Sequence, residues 1–300
     1  MKKALICGIL ASLFFAFTFI LNRSMNLSGG YWLWISPLRY LITFAILTLV
    51  LALRPKKGMA RALSAVKAQP GPWLLWSTVG FGLFYLPLTL GSVFGESWMT
   101  ASTWQLTIVA GVLLTPLFGK KIPVKNLLLS TLIVIGVFIM QVPHLHSHHL
   151  TGNLMALVPI LIAAFMYPLG NRKIMTICPP ELDTMERIFN MVFCSLPFWI
   201  VTALAAFLTG GAPSSGQLLQ SLGVALFSGV IATSLFFHAT DLVKDNPRHL
   251  AVIEATQCGE VIFTLLGGVL ILHDAAPSIW GYIGIILIVA GMVANSLNSN

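Results

Sequence analysis

The chain has 300 residues and a formal net charge of +8, but only 9% of its residues are charged and 57% are hydrophobic. A soluble domain carries about 25% charged residues, so this composition excludes an ordinary soluble protein. Long apolar runs fill the chain, and a membrane helix needs about 20 such residues. Strands of a membrane barrel would instead alternate over about ten residues. The sequence therefore predicts an all-α, polytopic membrane protein.

Ten candidate spans follow one another along the chain. In order they are 4–21, 31–53, 73–94, 100–118, 124–142, 153–169, 188–207, 218–239, 250–272 and 279–297. Lysine and arginine fall in alternate loops, with Arg23 as the one exception. Because cytoplasmic loops carry the excess of basic residues, this pattern predicts that both termini are cytoplasmic. The positive charge then reflects topology and does not indicate nucleic-acid binding.

The second half of the chain echoes the first. The matched positions are Asn22-Arg23 with Asn171-Arg172, Arg39 with Arg187, and Gln105 with Gln257. Five spans per half is an odd number, so the second half would begin on the opposite side of the membrane. We therefore expect two inverted repeats, residues 1–147 and 148–300, within one membrane domain. Many secondary carriers build two gates around a central site from such repeats.

The ninth predicted span carries the strongest candidates for binding substrate or protons. Glu254, Gln257 and Glu260 would follow one arc of an α-helix. Glu260 would lie about 17 Å from the start of the span, near the middle of a core about 30 Å thick. Low dielectric disfavours a charged carboxylate, so Glu260 is suited to take up and release a proton. A structural role in holding helices together is the alternative.

Two other spans complete the set of candidates. Gln105 and Trp104 would line the same cavity from the first half, where Trp104 could stack on a planar or cationic substrate. Arg39 would lie about 12 Å past the start of the second span. At that depth we expect it to face the bundle interior, a partner carboxylate or a water-filled vestibule. Snorkelling to lipid headgroups is the alternative.

A histidine-rich stretch where the two halves join is a weak candidate for metal binding. It contains His144, His146, His148 and His149. Imidazoles suit zinc, copper or nickel, but no acid or cysteine lies nearby, so a solvated linker is the favoured interpretation. The sequence has no phosphate-binding glycine loop, no Gly-x-Ser-x-Gly, no HExxH and no paired CxxC. We therefore expect neither an enzyme nor a cofactor.

Several short motifs, spread over essentially the whole chain, resemble one transporter superfamily. They are Leu38-Arg39-Tyr40, the stretch TPLFG at 115–119, LIVIGV at 132–137 and its twin LIVAGM at 287–292. In order and spacing they resemble the drug/metabolite transporter superfamily, most of all its ten-helix EamA-like branch of multidrug-resistance efflux transporters. The resemblance implies a five-plus-five inverted repeat with a central cavity lined largely by helices three, four, eight and nine. It places Trp104, Gln105, Glu254, Gln257 and Glu260 in those helices.

Two departures from the family pattern bear on mechanism. Many relatives end helices four and nine with a glutamate, whereas this chain has Lys120-Lys121 and His273-Asp274 there. The four-helix multidrug relatives use a glutamate in helix one, and the first span here has no acid. If export is coupled to protons, the coupling residue has moved, and Glu260 or Glu254 is the available replacement.

We therefore expect a secondary transporter of the bacterial inner membrane that exports small organic molecules by alternating access. Proton antiport is one interpretation, and a metabolite or amino-acid exporter or facilitator without proton coupling is the other. A non-transporting membrane sensor or assembly protein is the alternative of another class. The expected partners are a small-molecule substrate, the lipid bilayer and, for an antiporter, protons. A monomer and a homodimer both stay open.

Overall fold

The computed structural model of the protein describes residues 1–54, 58–145, 150–243 and 246–298. Within these ranges the chain is helical and contains no β-strand. The helices are α1 (Lys2–Leu27), α2 (Ile35–Ala52), α3 (Gly58–Ala68), α4 (Pro70–Ser77), α5 (Leu83–Phe94), α6 (Ser97–Trp104), α7 (Leu106–Leu113), α8 (Val124–Leu145), α9 (Leu150–Ile177), α10 (Thr184–Gly210), α11 (Ser215–Val224), α12 (Thr233–Asp241), α13 (Pro247–Ala255), α14 (Gly259–Ile271) and α15 (Ile279–Leu297).

Nine helical rods in the described ranges are long and apolar enough to cross a membrane. Some contain irregular turns. A π-helical stretch, Thr78–Gly82, joins α4 to α5, and a second, Ala225–Ala232, joins α11 to α12. In the region of the predicted fourth span, 100–118, the chain forms two short helices, α6 and α7, each of eight residues. Either alone is too short to cross the hydrocarbon core.

The break in the predicted fourth span lies at Gln105. The backbone N–H of Gln105 donates to the Ser102 carbonyl at 3.2 Å, and that of Ile108 donates to the Gln105 carbonyl at 3.0 Å. Both bonds reach back three residues instead of four, which tightens the helix locally. A hydropathy pattern does not register such a change, so the sequence did not predict the break at Gln105.

The predicted ninth span is irregular at the matching place. α13 ends at Ala255, and a 3₁₀ turn over Thr256–Cys258 leads into α14. Gln257, the counterpart of Gln105, therefore also lies where a helix departs from α geometry. A 3₁₀ turn advances about 120° per residue, against 100° in an α-helix. Side chains three positions apart therefore eclipse in the turn, so the expected arc from Glu254 through Gln257 to Glu260 is narrowed there.

The helices run back and forth between two ends of the bundle. The end that holds the contact between Arg23 and Asp274 is called the Arg23 end. The opposite end, where Arg172 lies, is called the Arg172 end. It also holds the contact between Asn126, at the start of α8, and Asn295, near the end of α15. The Arg23 end thus lies between α1 and the segment after α14, and the Arg172 end lies near the last turns of α9 and α15.

α3 is held against the start of α10 by charge. Nη2 of Arg61 lies 2.5 Å from Oε1 of Glu186, and Nε lies 3.1 Å from Oε2. The hydrogen bond to Glu186 raises the pKa of Arg61. Two parallel bonds between a guanidinium and a carboxylate fix orientation as well as distance. This pair and a second one, between Arg54 and Asp183 at 2.6 Å, tie the loops of the Arg172 end together.

α8 and α15 pack closely along their twin glycine motifs. A methyl group at Gly136 would lie 2.6 Å from the carbonyl oxygen of Gly284, and one at Gly291 would lie 2.8 Å from the Ile133 side chain. Lipid tails are as apolar as the helices, so close backbone approach through small residues is a main source of association. The motifs that the sequence marked as twins therefore pack on each other.

Gly136→Ala is expected to destabilise the protein, because the new methyl group would meet the backbone of α15 and force the helices apart. We expect a cost of about 1–3 kcal/mol, typical of overpacking. The readout is the midpoint of thermal unfolding of the detergent-solubilised protein. Gly216→Ala is the matched control, since its methyl group would meet only the Ser214 Oγ at 3.9 Å. An equal effect of both substitutions would contradict the proposed packing.

Candidate functional site

The two irregular helices meet through a polar contact between Gln105 and Glu260. Nε2 of Gln105 lies 3.4 Å from Oε2 of Glu260 and 3.2 Å from the Ala101 carbonyl oxygen. Gln105 is buried and Glu260 is half-buried. A carboxyl group keeps an acceptor oxygen whether or not it is protonated, so an amide donor suits both states. The contact brings together one sequence-predicted candidate from each half of the chain.

An aromatic cluster lies beside this contact and includes Trp104, the residue that precedes Gln105. The ring of Trp104 is 4.9 Å from that of Phe84 and 5.5 Å from that of Tyr167, and Phe84 is 4.8 Å from Tyr167. Tyr167 is 38% exposed, so the cluster presents an accessible aromatic face. Such a face can stack on planar groups and attract cations. Sequence reasoning found Trp104 but missed Phe84 and Tyr167, because aromatic residues are spread over most of the spans.

A cavity of about 600 Å³ extends from Tyr167 towards the Arg172 end. It lies between α7, α8, α9 and α15, and its lining includes Thr107, Pro168 and Arg172. Cavities of about 300–1,000 Å³ are typical of small-molecule sites. Pro123, which also lines the cavity, is exposed, so the cavity reaches the protein surface. Gln105 and Glu260 do not line this cavity, but Tyr167 belongs both to it and to the aromatic cluster.

The other two candidates in the ninth predicted span lie apart from this cluster. The Glu254 side chain is exposed and has no hydrogen bond or ion pair with any described residue. Nε2 of Gln257 lies 3.4 Å from the hydroxyl of its neighbour Thr256. The structure therefore joins Glu260, but neither Glu254 nor Gln257, to Gln105 and the aromatic cluster.

Arg39 faces the bundle interior, one of the positions that the sequence predicted, but no described carboxylate pairs with it. Its guanidinium carbon lies 4.1 Å from the ring centroid of Tyr85, and Nη2 donates to Ser228 Oγ at 3.1 Å. Nη1 is buried and has no hydrogen-bond partner in the described ranges. The hydroxyl of Tyr85 donates to Asn22 at 3.0 Å. A cation–π contact therefore holds Arg39 where an ion pair was one expectation.

The Arg23 end is closed by an ion pair that sequence reasoning missed. Nε of Arg23 lies 3.2 Å from Oδ1 of Asp274, whose side chain is 1% exposed. Oδ2 of Asp274 accepts from the Ser97 backbone N–H at 2.9 Å and from its hydroxyl at 2.6 Å. The contacts join α1, α6 and the segment after α14. The available signal was Arg23 itself, the one lysine or arginine in the alternate set of loops.

Only part of the histidine-rich stretch belongs to the described residues. His146, His148 and His149 lie outside the described residues. In the part of the chain that is described, no group of three histidine, cysteine, aspartate or glutamate side chains is placed to hold a metal ion.

Comparison with known proteins gives a family, two relatives and a fold. The family model described as "EmrE: Putative multidrug resistance efflux transporter" matches residues 2–300. The chain is 45% identical over 312 residues to "Uncharacterized protein YjlA" of Bacillus subtilis (strain 168), covering 99% of this chain and 95% of that protein. It is 41% identical over 269 residues to "Uncharacterized 42.1 kDa protein in intracellular alkaline protease 3'region" of Shouchella clausii, covering 86% and 70%.

A solved structure called "Crystal structure of protein" matches 98% of this chain and 96% of its own, with a TM-score of 0.63. Its sequence identity is 14%, so this likeness shows the fold alone.

The family is one of transporters and not of enzymes, which confirms two predictions made from the sequence. The apolar helices and the family match together show a multi-pass membrane protein. The chain belongs to the EmrE-like family of multidrug resistance efflux transporters, within the drug/metabolite transporter superfamily.

Proposed function

We propose that the protein exports a small organic molecule by alternating access, with Glu260 as the residue that couples export to protons. The observation that carries this proposal is the contact between Gln105 and Glu260, which joins two irregular helices beside an aromatic cluster. An ionisable group within a membrane helix is costly and usually functional. The chain belongs to a family of efflux transporters, which agrees with a role of Glu260 in export.

The proposed architecture has ten crossings in two inverted halves. α6 and α7 together supply the crossing that neither makes alone. The halves match in their irregularities as well as in sequence, because π-helical stretches occur at Thr78–Gly82 and at Ala225–Ala232. The tight turns at Gln105 and at Thr256–Cys258 match in the same way. Shared irregular turns in corresponding helices support a repeat, since transporters place their sites at such breaks.

In the proposed orientation the Arg172 end is cytoplasmic, and the protein lies in the cytoplasmic membrane. The basic residues at this end include Arg61, Lys120, Lys121, Lys125 and Lys173. The Arg23 end is then external, where Asp274 neutralises Arg23. This assignment follows the excess of basic residues in cytoplasmic loops and places both termini in the cytoplasm.

The conformation then faces the cytoplasm. The cavity reaches the surface at the Arg172 end, whereas the ion pair between Arg23 and Asp274 closes the opposite end. Substrate enters the cavity and reaches the aromatic cluster through Tyr167. Release on the far side requires Arg23 and Asp274 to separate. A deprotonated Glu260 favours a bound cation, and an incoming proton at Glu260 favours its release.

Glu260→Gln is expected to abolish exchange of protons for a planar aromatic cation, because the amide cannot take up a proton in this pH range. Proteoliposomes loaded with the protein would be assayed for ethidium-driven proton movement, and we expect a fall of more than about tenfold. The matched control is Glu181→Gln, which removes an exposed carboxylate from a loop.

Proton exchange that persists in Glu260→Gln would contradict the coupling role of Glu260. Ethidium transport without proton movement in the unaltered protein would instead support a facilitator.

Asp274→Asn is expected to open the Arg23 end more often, because the asparagine no longer neutralises Arg23. Ser92→Cys would report the opening, because the Ser92 side chain is only 2% exposed. In a background without the four native cysteines, its labelling by a membrane-impermeant maleimide should accelerate by about tenfold, the value of one charge-assisted contact. Glu96→Gln is the control, since Glu96 lies at the same end but has no ion pair among the described residues. Unchanged labelling in Asp274→Asn would exclude the pair as a gate.

A further inference from the structure

We propose that the cavity at the Arg172 end binds the carboxylate of a small organic acid, with Arg172 as the group that recognises it. This inference rests on the proposed export function and adds to it a second class of substrate, a small organic acid, beside the aromatic cation that would be held at Glu260. The carboxylate would lie at Arg172 and the apolar body would point towards Tyr167. These two residues are about 7.5 Å apart along α9, at 1.5 Å per residue.

Arg172 has N–H donors for which no described residue is an acceptor. Nη1 donates to the Gly111 carbonyl at 2.6 Å. A guanidinium has five N–H donors in a fork that matches the two oxygens of a carboxylate. Gly111 makes room for this fork, since a methyl group there would lie 3.2 Å from Nη2. Across the described ranges, the ion pairs involve Arg23, Arg54 and Arg61, and none involves Arg172.

The rest of the lining suits an organic acid better than a cation. No acidic side chain is among the residues that line the cavity. Ile108, Val112 and Pro168 supply apolar walls. The hydroxyl of Thr107 donates to the Ala164 carbonyl at 3.1 Å and that of Thr115 to the Gly111 carbonyl at 3.3 Å. Arg172 is therefore the one cationic side chain in this lining.

The remaining polar side chains of the lining are Tyr167, Asn298, which donates to the Ala294 carbonyl at 2.8 Å, and a pair of asparagines that bind each other. Nδ2 of Asn126 lies 3.3 Å from Oδ1 of Asn295, and Nδ2 of Asn295 donates to the Asn126 carbonyl at 2.9 Å. These bonds hold α8 against α15 at the mouth of the cavity. Recognition of a charged ligand therefore falls to Arg172.

The contrast with Arg23 supports the same conclusion. Asn22-Arg23 and Asn171-Arg172 are sequence counterparts, and Arg23 is neutralised by Asp274. At the Arg172 end the corresponding turn carries Lys120-Lys121 in place of an acid. Removing a guanidinium from water is costly unless a counter-charge compensates. Closing the Arg172 end would bury Arg172, and a carboxylate on the substrate would supply that counter-charge.

The test is direct binding to the purified protein in detergent, measured by titration calorimetry. The probes are benzoate, benzyl alcohol and benzyltrimethylammonium, which share a phenyl ring and differ in charge. We expect benzoate to bind at least about tenfold more tightly than the other two, the value of one charge-assisted hydrogen bond. Arg172→Gln should remove this preference, and Arg172→Lys should keep part of it, because lysine keeps the charge but loses the fork.

Lys173→Gln is the matched control. Nζ of Lys173 lies 5.1 Å from the ring centroid of Phe118 and 5.5 Å from that of Trp76, and Lys173 does not line the cavity. The Lys173→Gln substitution removes one positive charge next to Arg172 in the sequence and should leave the preference for benzoate unchanged. An equal loss in Lys173→Gln and Arg172→Gln would overturn the inference, since it would show general attraction to a basic surface.

Equal affinity of the unaltered protein for the three probes would also overturn the inference, as would tighter binding of the ammonium compound. Arg172→Lys keeps the test informative if Arg172→Gln does not fold. Binding is measured without transport, so the two proposals can fail separately. Arg172-dependent binding of benzoate without any export would refute the proposed function alone. Ethidium export without binding of benzoate would refute only the present inference.

Discussion

Backbone groups that lose their helical partners inside a membrane cost several kcal/mol each, so irregular turns survive there only when protein or a cavity compensates. The turns at Gln105 and at Thr256–Cys258 obey this constraint, because the Gln105 side chain donates to the Ala101 carbonyl and the Thr256 hydroxyl donates to the Ile253 carbonyl. The two helices that contain these turns meet at the contact between Gln105 and Glu260. Trp104 follows from the same break, since it is the last residue of α6 and packs on Phe84 and Tyr167. The candidate site is therefore a product of helix irregularity as much as of residue type.

The packing of the bundle separates parts that can move from parts that cannot. α8 and α15 touch through backbone atoms at Gly136 and Gly284, which leaves no space for sliding. The Arg23 end is closed by side chains from α1, α6 and the segment after α14, which can part without disturbing that seam. Hinge and rocking motions use contacts of this second kind. A tight seam on one side and separable polar contacts at one end together suit alternating access.

The sequence predicted the helical membrane fold because apolar runs of span length have few other solutions. The family match and the nine long helices found among the described residues confirm it. It also pointed to Gln105 and Glu260, which the structure brings together. It could not predict the local 3₁₀ bonds, since they change the path of the backbone without changing hydropathy. Glu254 was a candidate together with Glu260, but its side chain lies exposed. The partner of Arg23 was missed because 251 residues separate it from Asp274.

The pairing of Arg23 with Asp274 has an electrical consequence. A membrane potential acts on net charge, at about 2.3 kcal/mol per elementary charge per 100 mV. While Arg23 and Asp274 stay paired, they carry no net charge in that field, so voltage does little work on the closed end. Arg172 has no such partner among the described residues, and its displacement would be driven or resisted by the potential until an anion neutralises it. The two ends of one protein would thus differ in their response to voltage.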